Sequence, residues 1–428
     1  LRMPFIQGTV RNMTSKIQLL VLFGMLPLLS IGSDTLRLSI AQADSIFLSN
    51  NYQLLAAAMN MRAQDAQVIQ AKLYPNPLFT AAFNVYDPDN QQALHVGASG
   101  QKYFQIEQLI LIGGKRKAEI ELAKTNSVIA SLEFENLVRT LKYQLHGSMY
   151  ALKQQLFLLQ KYDAQLNLLD EILTAYDEQS KNGNIPMKDV IRLKGVYLNL
   201  NNDRAELFQY YLKELAQVQS ILQVEQVVVP IITDDDLEQM IKLVAREELQ
   251  HTALVNRPDY LISQKDKLAA EQYYHLQKKL AIPDLNAFVN YDQRSGAFNN
   301  EINAGISIPL PVWNRNKGNI RSAQHLLEQR QYSQEGLKLE IYSTIRNQLD
   351  LYNQTVFEYR KAQNLYNEDF EITLKGMSDN FLKQNISVLE FVDFFEAYNN
   401  SLAEIARIKI QLAESAELLN LTIGKEVF

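Results

Sequence analysis

Apolar positions along the chain switch between two periods. Between 78 and 86, Phe79, Ala81, Phe83 and Val85 fall on one side and Thr80 and Asn84 on the other, the alternation of a half-buried strand. The same period returns at 302–310, where Ile302, Ala304, Ile306, Ile308 and Leu310 oppose Asn303 and Ser307. Phe104 and Ile106, flanked by Gln105 and Glu107, mark a strand over 97–111, and a fourth is expected at 285–291. Elsewhere the spacing is three and four, as in Leu152, Leu156, Leu159, Leu166 and Leu169, with Gln, Asn and Lys on the other side. This predicts helices over 36–73, 115–180, 187–222, from about 237 to 280, 319–382 and 388–421, with 224–236 extended. A helix of about 65 residues is roughly 100 Å long, more than a single globular core needs.

The pattern is written twice. Lys117, Ile120 and Ala123 match Lys317, Ile320 and Ala323, and NIPMKDVIRLKGVYLN (184–199) lies over NISVLEFVDFFEAYNN (385–400). Each copy runs helix, two strands, very long helix, tight turn, long helix. The copies are expected at 33–223 and 237–428, joined by 224–236. Strands of about 9 to 11 residues with one apolar face suit either a sheet packed on a core or a tilted transmembrane barrel. In the barrel reading four strands cannot close, and an open edge in lipid is prohibitive, so chains must associate. Three chains give about twelve strands.

Composition narrows this. The chain has 428 residues, a net charge of -6 and no cysteine, which argues against general nucleic-acid binding and excludes thiol chemistry and disulfides. Lys16 followed by an apolar run from Ile17 to Leu29 and small residues at Ser30–Gly32 reads as a secretory signal within 1–32, too short to span a bilayer. No cysteine follows it for lipid anchoring. His95, His146, His251, His275 and His325 are scattered, and no catalytic serine elbow is visible. Glu271 and His275 share a helix face but read as a solvated pair. The chain is therefore expected to be no enzyme and to hold no cofactor or metal.

LILIGGKRKA suggests a phosphate loop, but Leu109 stands where its first glycine belongs and Arg116 where its Ser/Thr belongs. Gly113 and Gly114 are better read as a joint between strand and helix, with Pro309 and Pro311 aiding the second copy.

The twofold repeat, the strand pair before each long helix and the turns NGNIPMKDVIRL and KQNISVLEFVDF resemble TolC-type outer-membrane efflux factors. YPNP and QLILIGGKRKAEIELA resemble most the CzcC/CusC-like branch, which serves heavy-metal efflux. The resemblance covers about 36–424. It implies an α+β membrane protein, a homotrimer whose 12-stranded β-barrel sits in the outer membrane and continues into a periplasmic α-helical barrel. It implies a periplasmic membrane-fusion adaptor and an inner-membrane pump of the resistance-nodulation-division (RND) type as partners. This chain would be the passive exit duct, for metal cations or, alternatively, for drugs or secreted protein. A soluble periplasmic scaffold is the rival outside the channel class. By matching, Gly183, Asn184, Ile185 and Asp189 belong to one periplasmic tip turn, and Asn385, Ile386 and Glu390 to the other. The glycine usual in the second turn is replaced by Gln384. Asp177, Asp379 and Asp393, with Asp189 and Glu390, are candidate lumen carboxylates that threefold symmetry would make into rings. The alternative for Asp189 and Glu390 is plain helix-terminal charge. Phe79, Phe83, Phe104, Ile306 and Ile308 would face lipid, and Lys115, Arg116 and Lys117 would line the periplasmic rim.

Overall fold

The computed structural model describes residues 35–294, 298–365 and 369–428, so the expected signal segment lies outside the described residues. Long helices dominate. α3 (Lys115–Lys181) has 67 residues and returns through a tight turn into α4 (Met187–Leu222). α8 (Lys317–Leu365) and α9 (Asp369–Leu382) lead through a second turn into α10 (Val388–Ile423). Among the α3 seam residues, Leu152 and Leu169 are fully buried and Leu159 and Leu166 nearly so, as a 3–4 stripe packed on neighbouring helices requires.

Three expectations about the ends of elements are corrected. The first helix does not run unbroken from 36 to 73. Leu36 lies in β1 (Thr35–Leu38), and Ser39 then opens α1 (Ile40–Asn50) through a capping box with Gln42. Asn51 leaves the helical region and caps α2 (Tyr52–Ala71), accepting from Leu54 N and donating to Ile221 O at 2.9 Å. The linker 224–236 is only partly extended. β6 (Val227–Pro230) pairs parallel with β1, and Thr233 then caps the short α5 (Asp234–Gln239). The helix before 280 divides at Pro258 into α6 (Arg246–Asn256) and α7 (Pro258–Leu280), because proline at a first helical turn starts a helix and cannot continue one.

The main sheet has four antiparallel strands. β2 (Leu78–Phe83), β5 (Lys102–Ile110), β7 (Leu285–Arg294) and β8 (Phe298–Ser307) lie in that order. Its centre, β5 on β7, joins the two halves of the sequence. β2 and β8 are its edges, with no further strand beside either among the described residues. The strand expected at 97–111 starts only at Lys102. Residues 84–101 form a loop holding the small hairpin β3 (Tyr86–Asp87) and β4 (Gln92–Ala93). Ile308 lies just past the end of β8.

Among the described residues two apolar clusters, with Leu207 packed against both, hold the helices. One gathers Phe47, Leu145, Met149, Val218, Tyr352 and Leu419 beside the β1–β6 pair. The other gathers Leu169, Tyr176, Val190, Phe381, Phe391 and Phe395 near the two turns.

Candidate functional site

The sheet separates its residues by face. Phe79, Ile106, Val289 and Ala304 are register partners across all four strands, and Ala81, Phe104, Tyr291 and Ile302 form the adjacent row. This face is open. Phe79 is 63% exposed, Ile306 66% and Ile302 77%. Phe104 is half-buried because Phe79, Phe83 and Tyr291 surround its ring at 6.4, 5.6 and 6.3 Å. The opposite face carries the row Thr80, Gln105, Asn290 and Asn303. There Gln105 donates to Glu107 at 3.0 Å and Asn303 to Asn290 at 3.3 Å. An uncovered apolar face backed by a hydrogen-bonded polar face inverts the usual arrangement of a water-soluble sheet.

The joint between sheet and helices needs its glycines. Gly113 and Gly114 both have φ of 72°, and a Cβ on Gly113 would come 2.8 Å from Ile282 Cδ1. Lys279 Nζ donates to Gly114 O at 3.2 Å. Lys115 is no rim cation. It is buried against Asp284 at 2.7 Å, and Asp284 also accepts from Ile112 N. Arg116 stacks over Tyr74 at 3.8 Å. In the second joint Asn316 takes the left-handed conformation (φ 56°), and its amide donates to Gln277 O at 2.8 Å. Pro309 and Pro311 lie earlier in that link. The phosphate-loop geometry is absent from both joints.

The two turns share one hydrogen-bond pattern. In the first, Gly183 (φ 79°) donates to Ser180 O and Asn184 N donates to Gln179 O. In the second, Gln384 (φ 61°) donates to Phe381 O and Asn385 N donates to Asn380 O. Each is a Schellman C-cap, and Ile185 and Ile386 follow it into the same apolar cluster. A side chain in this left-handed position is strained, so Gln384→Gly is expected to stabilise the chain by up to about 1 kcal/mol. A thermal melt reads this directly, and a lowered Tm would contradict it.

The carboxylates near the turns differ in their surroundings. Asp177 pairs with Lys181 at 3.0 Å and Lys194 at 3.1 Å, and those hydrogen bonds hold its carboxyl below the usual range. Glu390 closes a capping box, accepting from Ser387 N and Oγ at 2.8 Å each, and these bonds lower its pKa. That is the helix-terminal role. Asp189 sits in the first turn of α4. Asp379 and Asp393 are exposed. None of these last three has an ion-pair partner among the described residues.

Two polar clusters were not expected from the sequence. On α3, His146 lies between Glu417 (2.7 Å) and Asp44 (2.9 Å). In the 84–101 loop, Asp87 Oδ2 meets His95 Nδ1 at 2.7 Å, and His95 Nε2 meets Ser99 Oγ at 3.0 Å. The spacing Asp, then His eight residues on, then Ser four further was the available signal. Glu271 and His275 stay an exposed helix pair at 3.9 Å. Among the described residues no group of three or more His, Cys, Asp or Glu side chains is arranged to hold a metal ion, and no helix is long and apolar enough to cross a membrane.

No family model matches the chain. It is 23% identical over 341 residues to the cobalt-zinc-cadmium resistance protein CzcC of Cupriavidus metallidurans, covering 77% of this chain and 75% of that one. Among solved structures it is similar to CusC, described with its folding and transmembrane channel formation, with a TM-score of 0.74, 15% identity, and 90% and 92% of the two chains covered. The CmeC outer-membrane channel of Campylobacter jejuni matches with a TM-score of 0.73, 13% identity, and 90% and 85% covered.

Proposed function

We propose that this chain, which has the fold of TolC-type outer-membrane efflux channels, is the exit duct of a tripartite efflux system. The observation that carries the reading is the four-stranded sheet with an uncovered apolar face and two unpaired edges, mounted on helices of α3's length. In water that face and those edges invite aggregation. In lipid the face is satisfied, and the edges are satisfied once further copies close the barrel. Three copies give a twelve-stranded wall, apolar outside and amide-lined inside. Trp313, 94% exposed, and Tyr74 lie at the helix-side end of the sheet, where interfacial aromatics belong. The helices then form the periplasmic tunnel, and the two turns its tip. An adaptor and an RND-type pump would engage there and supply the energy.

The cargo we favour is heavy-metal cations, supported by the likeness to a cobalt-zinc-cadmium resistance protein. The wall offers amides and carboxylates rather than a tight site, and a conduit works best with weak sites. The decisive experiment is fractionation and sizing. The chain is expected in outer membranes and, in detergent, at three chains per particle by light scattering. A monomer in the soluble fraction would end the reading. A second test addresses the lumen. Asp379→Asn with Asp393→Asn is expected to weaken block of single-channel current by divalent cations several-fold, since each change removes three charges from the trimer. Identical block in wild type and variant would remove these residues from the lumen.

A further inference from the structure

We propose that Asp87, His95 and Ser99 form a nucleophilic acyl-transfer site on the loop between β2 and β5. This activity is separate from export and does not rest on the channel reading. The three side chains are ordered as an acid, a base and a nucleophile. Asp87 accepts from Asp89 N (3.0 Å), Asn90 N (3.2 Å) and Asn90 Nδ2 (2.9 Å), which fix its carboxylate. A carboxylate so held accepts and does not donate, so His95 Nδ1 must carry the proton between them. In the neutral ring the other nitrogen, Nε2, then offers its lone pair to the Ser99 hydroxyl at 3.0 Å. Asp87 and His95 are buried and Ser99 is exposed, so the base is sheltered while the nucleophile is reachable. This is the division of roles in a Ser-His-Asp triad, which is recognised by geometry and not by sequence order.

The backbone around Ser99 supplies the remaining part. Gln293, buried on β7, donates its amide to the carbonyls of Gly97 (2.8 Å), Ala98 (2.9 Å) and Gly100 (3.3 Å). A trans peptide sets each carbonyl opposite the next residue's N–H. Drawing the Gly97 and Ala98 carbonyls toward Gln293 therefore turns the Ala98 and Ser99 N–H groups away from it. Neither has a backbone partner among the described residues. Two adjacent N–H groups without a backbone partner beside a nucleophile can stabilise an oxyanion. The loop closes tightly enough to exclude a side chain at Gly100, where a Cβ would lie 2.0 Å from His95 O.

The substrate class is a carboxylic ester reached from solvent. Ser99 Oγ forms a bond to the acyl carbon as its proton passes to His95 Nε2. The carbon–alkoxy bond breaks, and the leaving alcohol takes that proton. Water then adds to the acyl-serine, giving its proton to Nε2. The bond to Oγ breaks, and the proton returns to Ser99. The sum is ester plus water to acid plus alcohol.

The test uses the full chain purified in detergent, a fluorescent fluorophosphonate and p-nitrophenyl acetate. The fluorophosphonate is expected to transfer its phosphonyl group to Ser99 with loss of fluoride, seen as added mass on the peptide containing residue 99. The labelling rate should fall at least 100-fold in His95→Gln, with Asp87→Asn between the two. Ser99→Ala leaves the Asp87–His95 pair in place. If its loop stays as protease-resistant as wild type, its ester turnover should drop to the buffer rate. No adduct on Ser99, equal labelling of wild type and His95→Gln, or wild-type turnover in Ser99→Ala would each overturn the proposal.

Discussion

His146→Ala is expected to lower stability by about 3–5 kcal/mol, because it removes the cation that bridges the buried Glu417 carboxylate and the half-buried Asp44. His146 is 6% exposed on α3, with Glu417 of α10 at Nδ1 and Asp44 of α1 at Nε2. Neutral imidazole donates only one proton, so two carboxylates facing both nitrogens require imidazolium. Burial opposes that charge, but the hydrogen bonds that His146 donates to Asp44 and Glu417 outweigh it and push the His146 pKa up to about 9 from 6.5. Asp44 moves the other way. Burial raises it, and the bonds to His146 and Lys142 more than reverse that. Lys142, one turn before His146, holds Asp44 at 3.0 Å and also pairs with Glu426, tying the end of the chain to the same cluster.

The pH dependence follows from these directions. His146 has a folded pKa above its unfolded one, so its contribution is complete below pH 6.5 and is lost as pH rises through about 9. The shift corresponds to roughly 3 kcal/mol over that window. Asp44, lowered on folding, contributes above its ordinary value of 3.8 and loses this as pH falls. Thermal melts followed by circular dichroism should therefore show Tm falling between pH 6.5 and 9 in wild type. The slope should largely vanish in His146→Gln, whose amide can donate to only one of the carboxylates at a time. A wild-type Tm flat over that range would refute the charged histidine.

Much of the architecture was legible because it rests on local period. Alternation around Phe79 and Ile306 and the 3–4 seam from Leu152 to Leu169 each occupy contiguous sequence. What failed locally was interruption. The apolar spacing carries on across Asn51, so the break there is set by an asparagine reaching Ile221, 170 residues away. Glutamine does not favour the left-handed region, so the one sign at Gln384 was its place where the turn usually has glycine; the paired carbonyls of Phe381 and Asn380 impose that conformation. The His146 cluster joins residues 102 and 271 apart, beyond any motif. Lys115 reads as a surface charge until the fold brings Asp284 to it. Asp87, His95 and Ser99 lay close enough in sequence to be seen. They were hidden because residues 97–101, assigned to a strand, belong to the loop that brings them together.

At the opposite end, Phe381→Ala is expected to loosen the junction of the two turns. Phe381 is fully buried on α9, its ring stacked on Tyr176 of α3 at 5.0 Å and on Phe391 of α10 at 4.2 Å. Phe391 continues the stack to Phe395 at 5.6 Å. Removing a buried phenylalanine costs about 3–5 kcal/mol, part of it the lost ring pairs. The ion pairs of Asp177 do not replace this link, since Lys181 and Lys194 lie on α3 and α4, on one side of it. The connection between the turns is therefore apolar, and its strength should be insensitive to salt where a charged latch would weaken. Because the two apolar clusters share only the partly buried Leu207 at their margins, the loss should appear as local opening near the turns before any global unfolding. Amide exchange should accelerate at 176–190 and 378–392 in Phe381→Ala and stay unchanged around Leu145 and Met149. In the channel reading the same variant should conduct more than wild type at every salt concentration, with Phe381→Leu intermediate. Unchanged exchange at the turns in Phe381→Ala would show that the ring stack does not hold them together.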